Sequence, residues 1–192
     1  MSELTLDVGQ ANEIKLAARK AGATNADLKA LSTGDMFSTI LPVLRGTAKV
    51  VVQKILAFVT TVCVCGAKRF VASDAFGENN PAGVKFWLGE NFQTHFLGKI
   101  EENVPASELA IHNLTKSSVD GPITDELGAR KETFLTYLYE LITQGHLSKD
   151  RVYIFYIRDE KGVVWAVGAD WHSGFREWCV YAHSVTGPDE WS

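Results

Sequence analysis

Val152-Tyr153-Ile154-Phe155-Tyr156-Ile157-Arg158, Val163-Val164-Trp165-Ala166-Val167-Gly168-Ala169-Asp170-Trp171 and Arg176-Glu177-Trp178-Cys179-Val180-Tyr181-Ala182-His183-Ser184-Val185 decide how the rest of the chain is read. All three runs are rich in β-branched and aromatic residues, which fit a pleated, half-buried surface. Asp159-Glu160-Lys161-Gly162 and His172-Ser173-Gly174 separate them with turn chemistry, so the spacing predicts a three-stranded antiparallel meander. Trp165, Val167 and Trp171 alternate with Val164, Ala166 and Asp170, leaving one face apolar enough to be core. The element to cover it is a helix predicted over Arg130 to Gln144. There Phe134, Tyr137, Leu138, Leu141 and Ile142 recur at helical spacing, and Gly145 supplies the stop.

Upstream of the meander, Val50-Val51-Val52, Ile55 to Val59, Val62-Cys63-Val64, Phe70-Val71, Val84 to Leu88 and Leu109 to Leu114 read as strands. Gly77 to Gly83 is a loop by composition, and Gly121-Pro122 opens a helical piece. Phe92, Phe96, Leu97 and Ile100 suggest a short amphipathic helix, with Glu101-Glu102 solvated beyond its end.

The first 46 residues follow a different rule and read as three short helices. Val8, Ala11, Ile14, Ala18 and Ala21 lie near one helical face, and Gly22 ends that helix. Thr24 with Asp27 imitates a capping box, and Ser32 with Asp35 repeats it before Met36 to Leu41. Pro42 and Gly46 close the third helix. The expected fold class is therefore α+β: a helical module over residues 1–46, then a mainly antiparallel sheet packed on helices over 47–192.

Composition narrows the function. The chain has 192 residues, 46% of them hydrophobic and 22% charged, enough for an ordinary core, and a net charge of −4 that disfavours broad capture of nucleic acid or anionic lipid. Three cysteines, Cys63, Cys65 and Cys179, form an odd set, as expected of free thiols in a reducing compartment. Their spacing offers no structural zinc site, and no cofactor is implied. The start lacks a signal peptide, and the apolar stretch Val50 to Cys65 is too short and too polar to span a bilayer. A cytoplasmic, membrane-free location is the expectation.

Leu16-Ala17-Ala18-Arg19-Lys20-Ala21-Gly22-Ala23-Thr24, with Leu28 and Leu31, resembles the helix-turn-helix class: a small residue at the crossing, a turn glycine four residues later, and apolar seats for the second helix. The resemblance implies that Thr24 to Leu31 is a recognition helix with Thr24, Asn25, Lys29 and Ala26 toward the bases, and the basic Arg19 joins Thr24, Asn25 and Lys29 as candidate nucleic-acid contacts. Residues 1–49 carry six basic and five acidic groups, and so little net charge gives weak phosphate attraction. Any αα-hairpin packed through alanine and glycine has the same spacing.

The second candidate is the polar face of the meander, with Asp170, His172 and His183 as catalytic candidates beside Glu177 and Cys179. A two-residue turn would oppose Asp170 to Glu177, and a three-residue turn would oppose it to Arg176. Cys179 and His183 lie about 13 Å apart along one strand, too far for a direct dyad. The meander's aromatics suit either a stacking platform or plain core. No phosphate loop, dinucleotide fingerprint, zinc-protease helix or nucleophile elbow occurs.

Asp7 to Ala17, Gly34-Asp35-Met36, Leu41 to Gly46, Phe96 to Lys99 and Ser117 to Ile123 are similar to segments of a set of uncharacterised bacterial proteins from uncultivated candidate phyla. The resemblance implies a recurring modular bacterial protein and transfers no site residues. Three functions remain in view. The first is a non-enzymatic binding or regulatory protein whose N-terminal helices dock onto a partner, with DNA among the candidates. The others are a small hydrolase or ligand-binding enzyme on the meander, and a module that self-associates.

Overall fold

A computed structural model describes residues 5, 7–33, 35–50, 54–188, 190 and 191. The fold is α+β, and the chain divides into two compact units, Met1–Gln53 and Lys54–Ser192.

The first unit holds α1 (Val8–Lys20), α2 (Asn25–Ser32) and α3 (Met36–Leu44). α1 begins at a capping box in which the Gln10 amide donates to Asp7 Oδ1 at 2.8 Å and the Asp7 amide to Gln10 Oε1 at 3.3 Å. It ends at Gly22, whose φ of 80° is open to glycine at no steric cost. There the Ala23 amide donates to the Ala18 carbonyl and the Gly22 amide to that of Arg19, the paired bonds of a Schellman stop. Two expectations change. Ser32 is the last residue of α2 rather than a cap, and its hydroxyl donates back to the Lys29 carbonyl; Asp35 precedes α3 without a side-chain cap bond. Pro42 lies inside α3, which runs on to Leu44 before Gly46 ends it at a φ of 71°. The proline brings no amide to the Ser38 carbonyl one turn earlier, and past it the Thr47 amide donates to the Pro42 carbonyl as the helix stops. Of the strand expected at Val50-Val51-Val52, Val50 is exposed and outside any strand, and the other two lie outside the described residues.

In the second unit, β1 (Leu56–Val64) pairs antiparallel with β5 (Ser107–Leu114), and β2 (Ala67–Val71) pairs with β4 (Ile100–Val104). The two pairings continue one another as a single ribbon bent at Gly66. A Cβ on Gly66 would lie 2.3 Å from the carbonyl oxygens of Val104 and Pro105, and its φ is 68°. The short helix α4 (Ala72–Ala75), strand β3 (Phe86–Leu88) and helix α5 (Glu90–Phe96) fill the interval between β2 and β4.

After the ribbon come α6 (Asp120–Leu127), a single 3₁₀ turn at Gly128–Arg130, the two-residue β6 (Glu132–Thr133) and α7 (Leu135–Thr143). The chain closes with β7 (Tyr153–Arg158), β8 (Val164–His172) and β9 (Glu177–Ser184). The five-stranded sheet runs β3-β9-β8-β7-β6, with the antiparallel meander at its centre and a parallel strand at each edge. Its Val167, Ala169, Trp178 and Val180 share one core with Leu135, Leu138, Leu141, Phe92 and Phe96, with Trp165 and Trp171 packed at the margin. A smaller core forms around Ile55, Ile123, Tyr156 and Ala166.

The expected Arg130 to Gln144 helix is shorter at its start because Glu101 fixes where it begins. The Glu101 carboxylate accepts from the amides of Leu135 at 3.0 Å and Thr136 at 2.9 Å and from the Thr136 hydroxyl at 2.7 Å. Glu101 is thus a buried residue of β4, 5% exposed, rather than a solvated one. Glu102 is exposed and paired with Arg69 at 2.7 Å. The helix over Phe92 stops at Phe96, whose carbonyl accepts from the Lys99 amide at 2.9 Å, and Ile100 belongs to β4.

Candidate functional site

Corner between α1 and α2. The side chains of Ala11, Ile14, Lys15, Ala18, Arg19, Ala23, Thr24, Asn25 and Leu28 surround an open cavity of about 480 Å³. It exists because Gly22 turns the chain sharply and because alanines on both sides leave no bulk to fill the angle. Of the predicted contacts, Arg19, Thr24 and Asn25 come together on its wall, whereas Lys29, in the last turn of α2, is not part of it. The Thr24 hydroxyl and amide both donate to Asp27 Oδ2 at 2.7 Å, and the Asp27 amide donates back to the hydroxyl. These Thr24 bonds hold the Asp27 carboxyl below the usual range, fixing a negative charge on the helix that would face a phosphate backbone.

None of the residues of α1, α2 or α3 is buried. Ala18, Ala23, Leu28, Leu31 and Ile40 to Val43 are half-buried, while Ile14, Leu16, Phe37 and Leu44 stand between 55% and 72% exposed. Helices this short gain their stability from packing an apolar stripe, and isolated helices below about 12–15 residues are marginal in water.

Polar face of the meander. A four-residue connection, Ser173 to Arg176, replaces both turns considered above; Arg176 takes a φ of 54°, and the register becomes Asp170 opposite Cys179 and His172 opposite Glu177. His183 lies opposite Ala166, so four residues, about 13 Å, separate it from the Asp170 level. His172 ends β8 against the turn, its Nδ1 accepting from the Phe175 amide at 3.3 Å and its ring 4.8 Å from that of Phe175. His183 sits edge-on between Tyr181 and Trp191. His183 is thus separated from Asp170 and His172 along the sheet, and the two histidines each pack against neighbouring aromatics. Burial, reinforced by Asp170 and Glu177, pushes the Cys179 thiol up, the wrong direction for a thiolate nucleophile. Burial and the adjacent Asp170 likewise raise the Tyr181 phenol, whose ring covers Gly168.

Residues the sequence did not reveal. Asp159 is buried, accepting from the Lys161 and Val163 amides at 2.8 Å each and from the Trp165 indole at 3.1 Å. His95 of α5 sets Nδ1 3.4 Å from the same carboxylate and lays its ring 4.3 Å from Trp165. Desolvation works against the Asp159 charge, and these donors, with His95, outweigh it and hold the carboxyl low. The Asp159-x-x-Gly162 turn was legible, since aspartate at a turn binds amides two and four residues on; the partner from α5, more than sixty positions away, left no local trace. Three further carboxylates fasten distant segments. Glu140 receives the Cys65 and Gly66 amides, Glu126 those of Ile55 and Leu56, and Asp120 the Tyr156 hydroxyl and Trp191 indole.

Cys63 and Cys65 are exposed free thiols. Among the described residues no group of three or more histidine, cysteine, aspartate or glutamate side chains is placed to hold a metal, and no helix is long and apolar enough to cross a membrane. No protein-family model, curated protein or solved structure matches the chain.

Proposed function

We propose that this is a non-enzymatic binding protein whose N-terminal helical unit docks a partner protein in the corner between α1 and α2. The observation that carries the proposal is the absence of any buried residue in α1, α2 and α3 beside a cavity floored by Ala11, Ile14, Ala18, Ala23 and Leu28. Such a surface suits an amphipathic helix, which binds by laying its apolar face into a groove. Lys15 and Arg19 on the wall favour acidic residues flanking that face. DNA is the weaker occupant, because the Thr24 hydroxyl is committed to its cap and Asp27 places a carboxylate where phosphates would approach. The separation of Asp170 from His183 likewise favours binding over catalysis.

Selection of a displayed library of amphipathic helical peptides on the full chain tests the idea. Peptides with apolar residues at three- and four-residue spacing and acidic flanks are expected, and Ile14→Glu or Leu28→Glu is expected to abolish their binding. Enrichment indifferent to both substitutions would refute the site. Salt-dependent binding of a mixed-sequence DNA duplex, lost on Arg19→Ala and Lys29→Ala, would transfer the function to nucleic acid.

A further inference from the structure

Leu56-Ala57-Phe58-Val59-Thr60-Thr61-Val62-Cys63-Val64, the whole of β1, carries no charge, proline or glycine. Among the described residues its only strand neighbour is β5. A two-stranded ribbon is marginal in water by itself, and an open strand edge presents a row of unpaired amides and carbonyls. Proteins blunt such edges with charges, prolines or bulges. β5 has Glu108, and its Asn113 is held by Arg151 at 2.6 Å. β1 has one bulge, where Val59 is extra between Phe58 and Thr60. Ala57 to Thr61 and Cys63 are all exposed, with Phe58 at 62%.

We propose that β1 is a homodimer interface: two copies of the chain pair β1 with β1, antiparallel, about a two-fold axis at Thr61, forming a four-stranded ribbon in the order β5-β1-β1-β5. The argument for a second copy is residue complementarity. Opposed residues of an antiparallel pair point to the same side of the sheet, so a two-fold axis requires matched faces. Thr61 meets the Thr61 of the second copy, a favourable cross-strand pair, and Thr60 meets Val62. Because Val59 is extra, Phe58 and Cys63 share a face, as their partners His112 and Glu108 do on β5. With Val59 again left out, Phe58 meets Cys63, and one row across the four strands then reads Glu108, Cys63, Phe58, His112. The row has an acid at one end and an imidazole at the other, and nowhere in it are like charges opposed. A foreign strand would find no charge on β1 by which to fix its register, whereas self-pairing sets Thr61 against Thr61 on the axis, Thr60 against Val62 beside it and Phe58 against Cys63 beyond, with no charge opposed.

Sedimentation equilibrium of the full chain is expected to give twice the monomer mass at high concentration. Thr61→Lys, which opposes two ammonium groups on the axis, is expected to return the monomer with an unchanged thermal transition. Thr61→Cys in a Cys63→Ser, Cys65→Ser, Cys179→Ser background is expected to cross-link two chains under mild oxidation. A monomer at every concentration overturns the proposal, as does a dimer that survives Thr61→Lys or fails to cross-link through position 61. Ile14→Glu leaves this dimer intact, so failure of the helical docking site and failure of the β1 interface are read separately.

Discussion

At the scale of single residues, the body is fastened by carboxylates that receive amides from far along the chain, and Glu101 is the plainest case. It is 5% exposed, carries three donors from the start of α7 and pairs with Lys99 at 2.8 Å. Burial opposes the charge, yet the bonds from Lys99, Thr136 and Leu135 outweigh it and depress the carboxyl. A depressed folded value means that this contribution is complete above the unfolded value of about pH 4.3. It is then lost as pH falls through the folded value. Glu101→Gln keeps the shape but turns an amide NH2, itself a donor, toward donors, leaving one unpartnered at a cost of about 2–3 kcal/mol. Urea unfolding at neutral pH is expected to show that loss, and the difference from the parent protein is expected to shrink on acidification. A difference that grows with falling pH would show that Glu101 is not the charged cap of α7.

At the scale of elements, the ribbon's bend is the feature least able to tolerate change. Gly66 has a left-handed φ, main-chain oxygens on the side where a Cβ would go, and an amide donated to Glu140 at 3.1 Å. Gly66→Ala is therefore expected to cost upward of about 3 kcal/mol, since backbone cannot swing aside as a side chain can. Gly22→Ala is a contrasting test. Its φ is 80° but nothing lies within 4 Å of the added Cβ, so only the conformational cost of about 1 kcal/mol applies. That loss is expected in the helicity of α1 and α2, with the body's melting unchanged. The same contrast explains what could be read in advance. Gly22, Thr24 and the helical spacing of α7 are local signals, and so is the alternation of β8; each marked an element that forms, although α7 starts five residues late and Ala166, on the other face of β8, lies in the second core. The failures were non-local. The length of α7 depends on Glu101 in β4, and the turn after His172 depends on four residues rather than two or three. No window around Arg130 contains the first, and His172-Ser173-Gly174 alone does not exclude the second. The corner cavity stood half in view, because the small residues at Ala18 and Ala23 were evident while the opening they leave is a property of two helices in space.

At the scale of the molecule, the two units differ in how their stability must arise. The body buries Phe92, Phe96, Leu135, Leu138, Ile157, Val167 and Val180 almost completely, whereas no residue of α1, α2 or α3 is buried. Opening a segment costs free energy in proportion to the apolar contacts and protected backbone bonds it gives up, and elements with neither open at close to zero cost. Amide hydrogen exchange on the full chain is thus expected to divide the molecule. The amides of α7, β8 and β9 exchange only through global unfolding, and those of α1, α2 and α3 exchange orders of magnitude faster, through caps and turns that fray independently. Occupation of the α1–α2 corner by a helical partner slows the second set alone, because binding stabilises only the state it contacts. Helices equally protected with the body in the free protein would mean that their apolar faces are already covered, and the corner would then have no vacancy for a partner to fill.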